Sequence, residues 1–118
     1  SAAARITPEA IRWEALLDTR LLHLTGITPA LGPGPAAAVA EAIRRARAAG
    51  VAVSFDVNYR ARLWGAEAAG AALRPLLAEA DVLFCKSADA ALLFGCAGEP
   101  RVQIEALRRL TRATTIFC

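Results

Sequence analysis

The sequence predicts an α/β domain: part of a doubly wound, Rossmann-like three-layer structure, a parallel sheet with helices on both faces. Three observations predict it. Four apolar runs of strand length, Leu21–Thr25, Val51–Val57, Asp81–Cys85 and Thr114–Cys118, recur along the chain. Segments with helical periodicity separate them, and Gly and Pro mark several of the joins. Strands alternating with helices of ten to fifteen residues indicate βαβ units, and right-handed crossovers carry the helices over the sheet.

The elements follow in order. Thr7-Pro8-Glu9-Ala10 reads as a helix start, an N-cap candidate before proline at the first helical position, with Ile11, Leu16 and Leu17 as its apolar stripe. Leu21–Thr25 suits a buried strand, and His23 within it reads as a buried, hydrogen-bonded core residue. The Gly- and Pro-rich stretch from Gly26 to Pro35 reads as loop. A helix then starts at Pro35, its apolar face set by Ala36, Val39, Ala40 and Ile43, with Gly50 placed to end it. Val51–Val57 is the second strand, followed by a polar loop through Trp64 and Gly65. A helix over about 66–80 turns Ala69, Leu73, Leu76 and Leu77 inward, and Asp81–Cys85 is the third strand. A short helix near 88–94 stops at Gly95. Another covers about 102–112, and Thr114–Cys118 begins a last strand.

With 118 residues and no internal repeat or low-complexity linker, the chain reads as one α/β domain over 1–118. The hydrophobic fraction of 56% is largely alanine, and aromatics are 6%, so Leu, Ile, Val and Ala must build the core. No apolar run approaches the roughly 20 residues of a membrane span. Ser1-Ala2-Ala3-Ala4-Arg5 lacks the basic and apolar regions of a signal peptide. The net charge of +3 comes almost wholly from arginine. The clusters Arg44-Arg45-Arg47 and Arg108-Arg109-Arg112 read as solvated helix faces, not nucleic-acid contacts. Cys85, Cys96 and Cys118 form no CxxC or Cys/His pattern, which argues against a protein-held metal and for reduced thiols in the cytoplasm. The partners expected are therefore small molecules, with no nucleic acid and no membrane.

In open parallel α/β sheets, ligands bind beyond the carboxyl ends of the strands. That rule selects Gly26-Ile27-Thr28, Asn58-Tyr59-Arg60 and Lys86-Ser87-Ala88-Asp89. Arg60 offers a planar fork of donors for a carboxylate or phosphate. Asn58 offers donor and acceptor for a sugar hydroxyl or phosphate oxygen, and Asp56 is placed to orient either residue. A turn at Asn58, a packed Tyr59 and a surface Arg60 account for the same residues equally well. Gly26 permits close backbone approach, to a ligand or within a turn, and Thr28 adds a hydroxyl. Ser87 reads first as a helix cap, at a helix start that also suits an anion, with Lys86 beside it. No Ser/His/Asp set, Walker A loop or GxGxxG is present.

Taken together, Leu22-His23-Leu24-Thr25-Gly26-Ile27-Thr28, Ser54-Phe55-Asp56-Val57-Asn58-Tyr59-Arg60 and Arg62-Leu63-Trp64 resemble the ribokinase-like (PfkB) carbohydrate kinases, most closely the branch acting on 2-keto-3-deoxygluconate. Ala80-Asp81-Val82-Leu83-Phe84 and Leu92-Leu93-Phe94-Gly95 extend the resemblance over nearly the whole chain. The Asp-x-Asn-x-Arg…Leu-Trp pattern is its most specific part. The resemblance implies ATP-dependent phosphorylation of a sugar-acid hydroxyl, with magnesium as the accompanying ion. It implies substrate contacts at Gly26, Ile27, Thr28 and Arg60, and nucleotide contacts at Asn58, Tyr59, Arg60 and Ser87.

Two departures qualify this reading. The family's Asn-x-x-Glu pattern reads here Ser87-Ala88-Asp89-Ala90, so alanine stands at the glutamate position unless Asp89 replaces it. The family's early sugar-binding segment and its Gly-Ala-Gly-Asp motif, which carries the catalytic aspartate, are not found within the 118 residues. The expectation is an internal part of a sugar kinase, inactive alone, with unpaired sheet edges that favour association into homo-oligomers. A non-catalytic α/β module binding a ligand or partner is the competing expectation.

Overall fold

A computed structural model describes residues 5–118. Its centre is a four-stranded, all-parallel sheet of β1 (Leu21–Thr25), β2 (Ala52–Asp56), β3 (Val82–Phe84) and β4 (Thr115–Phe117), in the order β1-β2-β3-β4. The helices are α1 (Trp13–Leu16), α2 (Ile27–Ala30), α3 (Pro33–Ala48), α4 (Ala66–Ala78), α5 (Ser87–Phe94) and α6 (Pro100–Arg108). The parallel α/β sheet expected from the sequence is present.

Register places Leu24, Phe55, Leu83 and Ile116 in one row across the four strands, and Leu22 beside Val53. Because side chains alternate along a strand, these residues share a face. That face meets Val39, Ala42, Ile43 and Ala46 of α3, Ala69, Leu73 and Leu77 of α4, and Ala90, Leu93 and Leu107 of α5 and α6. The opposite face carries His23, Ser54, Val82 and Thr115 in one row and Thr25, Asp56, Phe84 and Phe117 in the next. Leu21 and Phe117 are exposed there, 48% and 53%. Strand order that follows chain order, joined by right-handed crossovers, keeps each connecting helix on the same side. The Cα extent of 15 Å in the thinnest direction fits one sheet and one helix layer. Both described core clusters lie between the sheet and the helices on that side.

The uncovered face changes the reading of His23. It is exposed, not buried in a core, although it is hydrogen-bonded: its Nδ1 lies 2.6 Å from the Ser54 hydroxyl. Three other local expectations are corrected. The first helix is broken into a 3-10 turn over Pro8–Ala10 and the four-residue α1, because Ile11 between them is extended (φ −95°, ψ 134°). The Gly26–Pro35 stretch is not all loop. Pro29 falls in the first turn of α2, where proline removes no helical hydrogen bond, and α3 already begins at Pro33. On α3 the inward face is Pro35, Ala38, Val39, Ala42, Ile43 and Ala46; Ala36 is half-buried and Ala40 exposed.

Two glycines end helices as expected. Gly50 after α3 and Gly95 after α5 adopt left-handed conformations, φ +73° and +69°. At the amino-terminal ends of the strands, Asp81 ties β2 to β3. Its Oδ2 accepts the Val53 N–H at 2.8 Å, and Arg112 lies 3.4 Å from Oδ1.

Candidate functional site

Thr25, Asp56, Phe84 and Phe117 are register partners and form the last row of the sheet. The ladder runs one step beyond it: Gly26 N–H donates to the Asp56 carbonyl (2.8 Å), Val57 N–H to Phe84 (3.0 Å) and Cys85 N–H to Phe117 (2.9 Å). The loops selected from the sequence therefore leave one edge side by side. This is where a parallel sheet presents its ligand-binding groups.

Gly26 is fully packed. A Cβ built on it would lie 2.0 Å from the Val57 carbonyl oxygen, so the glycine serves the close approach of β1 to the end of β2. The Thr25 hydroxyl accepts the Ile27 N–H at 3.3 Å and helps start α2. Ile27 and Thr28 follow half-buried. Thr28 lines a crevice of about 250 Å³ with His23, Leu24 and Thr25.

The second loop is held at several points. Val57 is fully buried at the strand end. Asn58 has a left-handed backbone, φ 41°, which asparagine tolerates better than most residues, and its N–H donates to Asp56 Oδ1 at 3.1 Å. Tyr59 packs against the core, and its hydroxyl donates to the Trp64 carbonyl at 2.8 Å. The Leu63 N–H donates to the Arg60 carbonyl at 2.9 Å. Arg60 is exposed, and its guanidinium has no hydrogen bond or ion pair among the described residues.

The third loop places the exposed Lys86 at the N-cap of α5. Ser87 is the first helical residue and does not cap. Its hydroxyl pairs with Gln103 Oε1 at 2.5 Å, while Gln103 Nε2 donates to the carbonyls of Ser87 (3.0 Å) and Cys96 (2.8 Å). Gln103 is only 2% exposed and ties α6 to both ends of α5. Sequence reasoning missed it because a lone glutamine on an amphipathic helix carries no signal of burial. Ala90 is fully buried in the core, so the helix register leaves Asp89 as the acidic residue of the first turn.

Between the second and third loops, Asp56, Phe84, Cys85, Lys86, Phe117 and Cys118 line a crevice of about 250 Å³. Burial, then the charge of Asp89, pushes the Cys85 thiol up to about 12, with Asp56 adding to the effect. Cys85 is thus neutral, not a nucleophile. No cluster of three or more His, Cys, Asp or Glu side chains suited to a metal occurs among the described residues. A larger groove, about 550 Å³, lies between α3 and α4 among Ile43, Arg47, Pro75, Leu76 and Glu79. Those residues belong to the carboxy-terminal halves of the two helices, at the other end of the sheet, so size and topology point to different places. Topology is the better guide, because the groove has few polar groups and none comes from a strand end.

A parallel α/β sheet with three loops converging at its carboxyl edge defines a Rossmann-like domain. Comparison with known proteins narrows the class. No family model matches the chain. The fold matches a PfkB protein from Polaromonas sp. JS666 with TM-score 0.89 and 32% identity, over 98% of this chain and 39% of that one. It matches 2-dehydro-3-deoxygluconokinase from Thermotoga maritima with TM-score 0.88 and 33% identity, over 98% and 37%. Among curated sequences, a 2-dehydro-3-deoxygalactonokinase of Haloferax volcanii is 30% identical over 89 residues, 75% of this chain and 28% of that protein. Along most of its length the chain is thus similar in sequence and fold to ribokinase-like PfkB carbohydrate kinases, and it spans less than two fifths of the length of each of these relatives.

Proposed function

We propose that the chain supplies part of the substrate and nucleotide site of an ATP-dependent kinase that phosphorylates a hydroxyl of a sugar acid such as 2-keto-3-deoxygluconate. The observation that carries this reading is Arg60: exposed and unpaired, on a loop fixed at the carboxyl edge of a sheet of the PfkB type. A guanidinium so held is matched to the keto-acid carboxylate or to a nucleotide phosphate. Gly26, Ile27 and Thr28 border the sugar. Asn58, Tyr59 and Ser87 belong to the nucleotide side, although the Tyr59 and Ser87 hydroxyls already have protein partners. Magnesium in this reading travels on the ATP phosphates, where it neutralises charge on the transferred group, and Asp89 is the acidic side chain of α5 nearest the helix start.

Transfer also needs a group that orients or deprotonates the attacking hydroxyl. At this sheet edge Cys85 stays protonated, and Asp56 has one oxygen engaged by the Asn58 N–H; neither matches the family's catalytic aspartate, whose Gly-Ala-Gly-Asp motif is not found within the 118 residues. The 118-residue chain alone is accordingly proposed to be inactive. No described helix is long and apolar enough to cross a membrane. The second reading, a non-catalytic binding module able to self-associate, draws on the uncovered sheet face with exposed Leu21 and Phe117.

The test is titration of the chain with 2-keto-3-deoxygluconate and with ATP, followed by amide NMR, alongside an ATP-turnover assay. Shifts confined to Gly26–Thr28, Asn58–Arg60 and Lys86–Asp89, lost in Arg60→Ala, are expected, without turnover. Binding that Arg60→Ala leaves unchanged refutes the site; turnover by the isolated chain refutes its inactivity.

A further inference from the structure

We infer that Tyr59 is a positioning residue for Arg60: its hydroxyl, donating to the Trp64 carbonyl, clamps the loop that presents the guanidinium to an anionic substrate. The inference rests on the proposed role of Arg60 and extends it to Tyr59, whose hydroxyl is already bonded within the protein.

Both ends of the clamp are anchored. Tyr59 and Trp64 are partly buried and pack against the same core cluster, which holds Phe55, Val57 and Leu73. Between them the chain turns back on itself, with Leu63 N–H bonded to the Arg60 carbonyl at 2.9 Å. On the strand side, Asp56 Oδ1 holds the Asn58 N–H at 3.1 Å and with it the left-handed backbone at Asn58. Arg60 is the residue between these restraints, and its own side chain is unrestrained and exposed. Its Cα is fixed while its fork of donors faces solvent. An arginine on a loose loop must give up backbone freedom as well as side-chain freedom when it grips a carboxylate. On a clamped loop only the side chain is left to order.

A tyrosine hydroxyl bonded to a carbonyl can also be a polar group satisfying itself at the edge of a core. The two roles differ in one measurable respect. A clamp acts on the ligand through Arg60, so removing it has no effect on affinity once Arg60 is gone.

The experiment uses the 118-residue chain as wild type, Tyr59→Phe, Arg60→Ala and the double variant. Phenylalanine keeps the ring in the core and removes only the hydroxyl. Hydrogen exchange at the Leu63 amide reads the loop without ligand. Exchange about three- to tenfold faster in Tyr59→Phe is expected, the factor for one neutral hydrogen bond, with the β2 amides unchanged. Calorimetric titration with 2-keto-3-deoxygluconate reads the consequence: Tyr59→Phe weakens binding by a similar factor, and the double variant binds like Arg60→Ala. Unchanged Leu63 exchange overturns the clamp. So does a Tyr59→Phe effect that adds in full to that of Arg60→Ala, and so does Arg60→Ala weakened with Tyr59→Phe unchanged. Arg60→Ala binding as well as wild type refutes instead the substrate reading beneath it, and a wild-type chain with no affinity for the keto acid overturns both.

Discussion

Replacing Gly26 by alanine tests whether this glycine serves packing. Its backbone is ordinary right-handed helical, φ −72° and ψ −8°, so alanine meets no conformational penalty there. The cost is steric. The new Cβ would sit 2.0 Å from the Val57 carbonyl oxygen and 3.3 Å from a Leu73 methyl. The nearest atom is backbone and cannot rotate away, so the ends of β1 and β2 must separate. Separation also breaks the Gly26 N–H bond to the Asp56 carbonyl. Overpacking costs about 1–3 kcal/mol and a lost hydrogen bond about 1, which together give roughly 2–4 kcal/mol. A chain of 118 residues has on the order of 6–18 kcal/mol to lose. Urea unfolding followed by circular dichroism measures the effect. With a slope of about 1.5 kcal/mol per molar, the midpoint falls by roughly 1.3–2.7 M. Gly65→Ala is the control: its Cβ meets nothing within 4 Å and its φ is −74°, and because alanine is a poorer N-cap of α4 while restricting the unfolded chain, it is expected to change stability by less than about 1 kcal/mol. A Gly26→Ala midpoint within error of Gly65→Ala would refute the packing argument.

Two further predictions concern the third loop. Gln103→Ala strips partners from the Ser87 hydroxyl and from two carbonyls. It is expected to cost about 2–4 kcal/mol in urea unfolding and to broaden the amide signals of Ser87 and Cys96; a loss below 1 kcal/mol contradicts the bonded network. Cys85 titrates at about 12 in the folded chain against an ordinary 9.0, because the thiolate is disfavoured by burial. The folded value is the higher one, so this contribution to stability is intact below about pH 9 and declines from there toward pH 12 as the unfolded chain loses its proton first. At pH 8 a thiol reagent should therefore label the exposed Cys118 quickly and reach Cys85 and Cys96 only on unfolding; rapid labelling of two or three thiols refutes the burial.

What was legible in the sequence follows from where tertiary contacts decide. The strand Leu21–Thr25 was read to the residue, since a short apolar run stopped by glycine has few alternatives. Gly50 and Gly95 end helices by a backbone preference that is local. Pro29 misled because proline breaks a helix interior but not its first turn, and a four-residue helix shows no periodicity. α6 stops at Arg108, not Arg112, because Thr111 bonds the Leu77 carbonyl and Arg112 N–H bonds that of Ala78, contacts with α4 that no local pattern announces. At the site, the edge holding Asp56–Arg60 was legible from the strand-end rule. What each side chain does there depends on partners five to sixteen residues away, Trp64 for Tyr59 and Gln103 for Ser87.

That dependence sorts the strand-end residues by a single physical criterion. A polar group whose hydrogen-bonding capacity is met inside the protein gains little from a ligand, because binding would exchange one partner for another. One oxygen of the Asp56 carboxylate is engaged by the turn, and the Tyr59 and Ser87 hydroxyls fall on that side. The Arg60 guanidinium and the exposed Lys86 ammonium do not: neither has an ion pair among the described residues, and the loops that carry them are fixed from behind. Arg60 and Lys86 are thus the groups at this edge suited to an anion, with the Asp56 and Asp89 carboxylates beside them. The bonded residues fix the geometry in which an anion is met. The Asp-x-Asn-x-Arg pattern therefore combines two functions within five residues, a carboxylate that ties down the turn and a guanidinium that the turn leaves free.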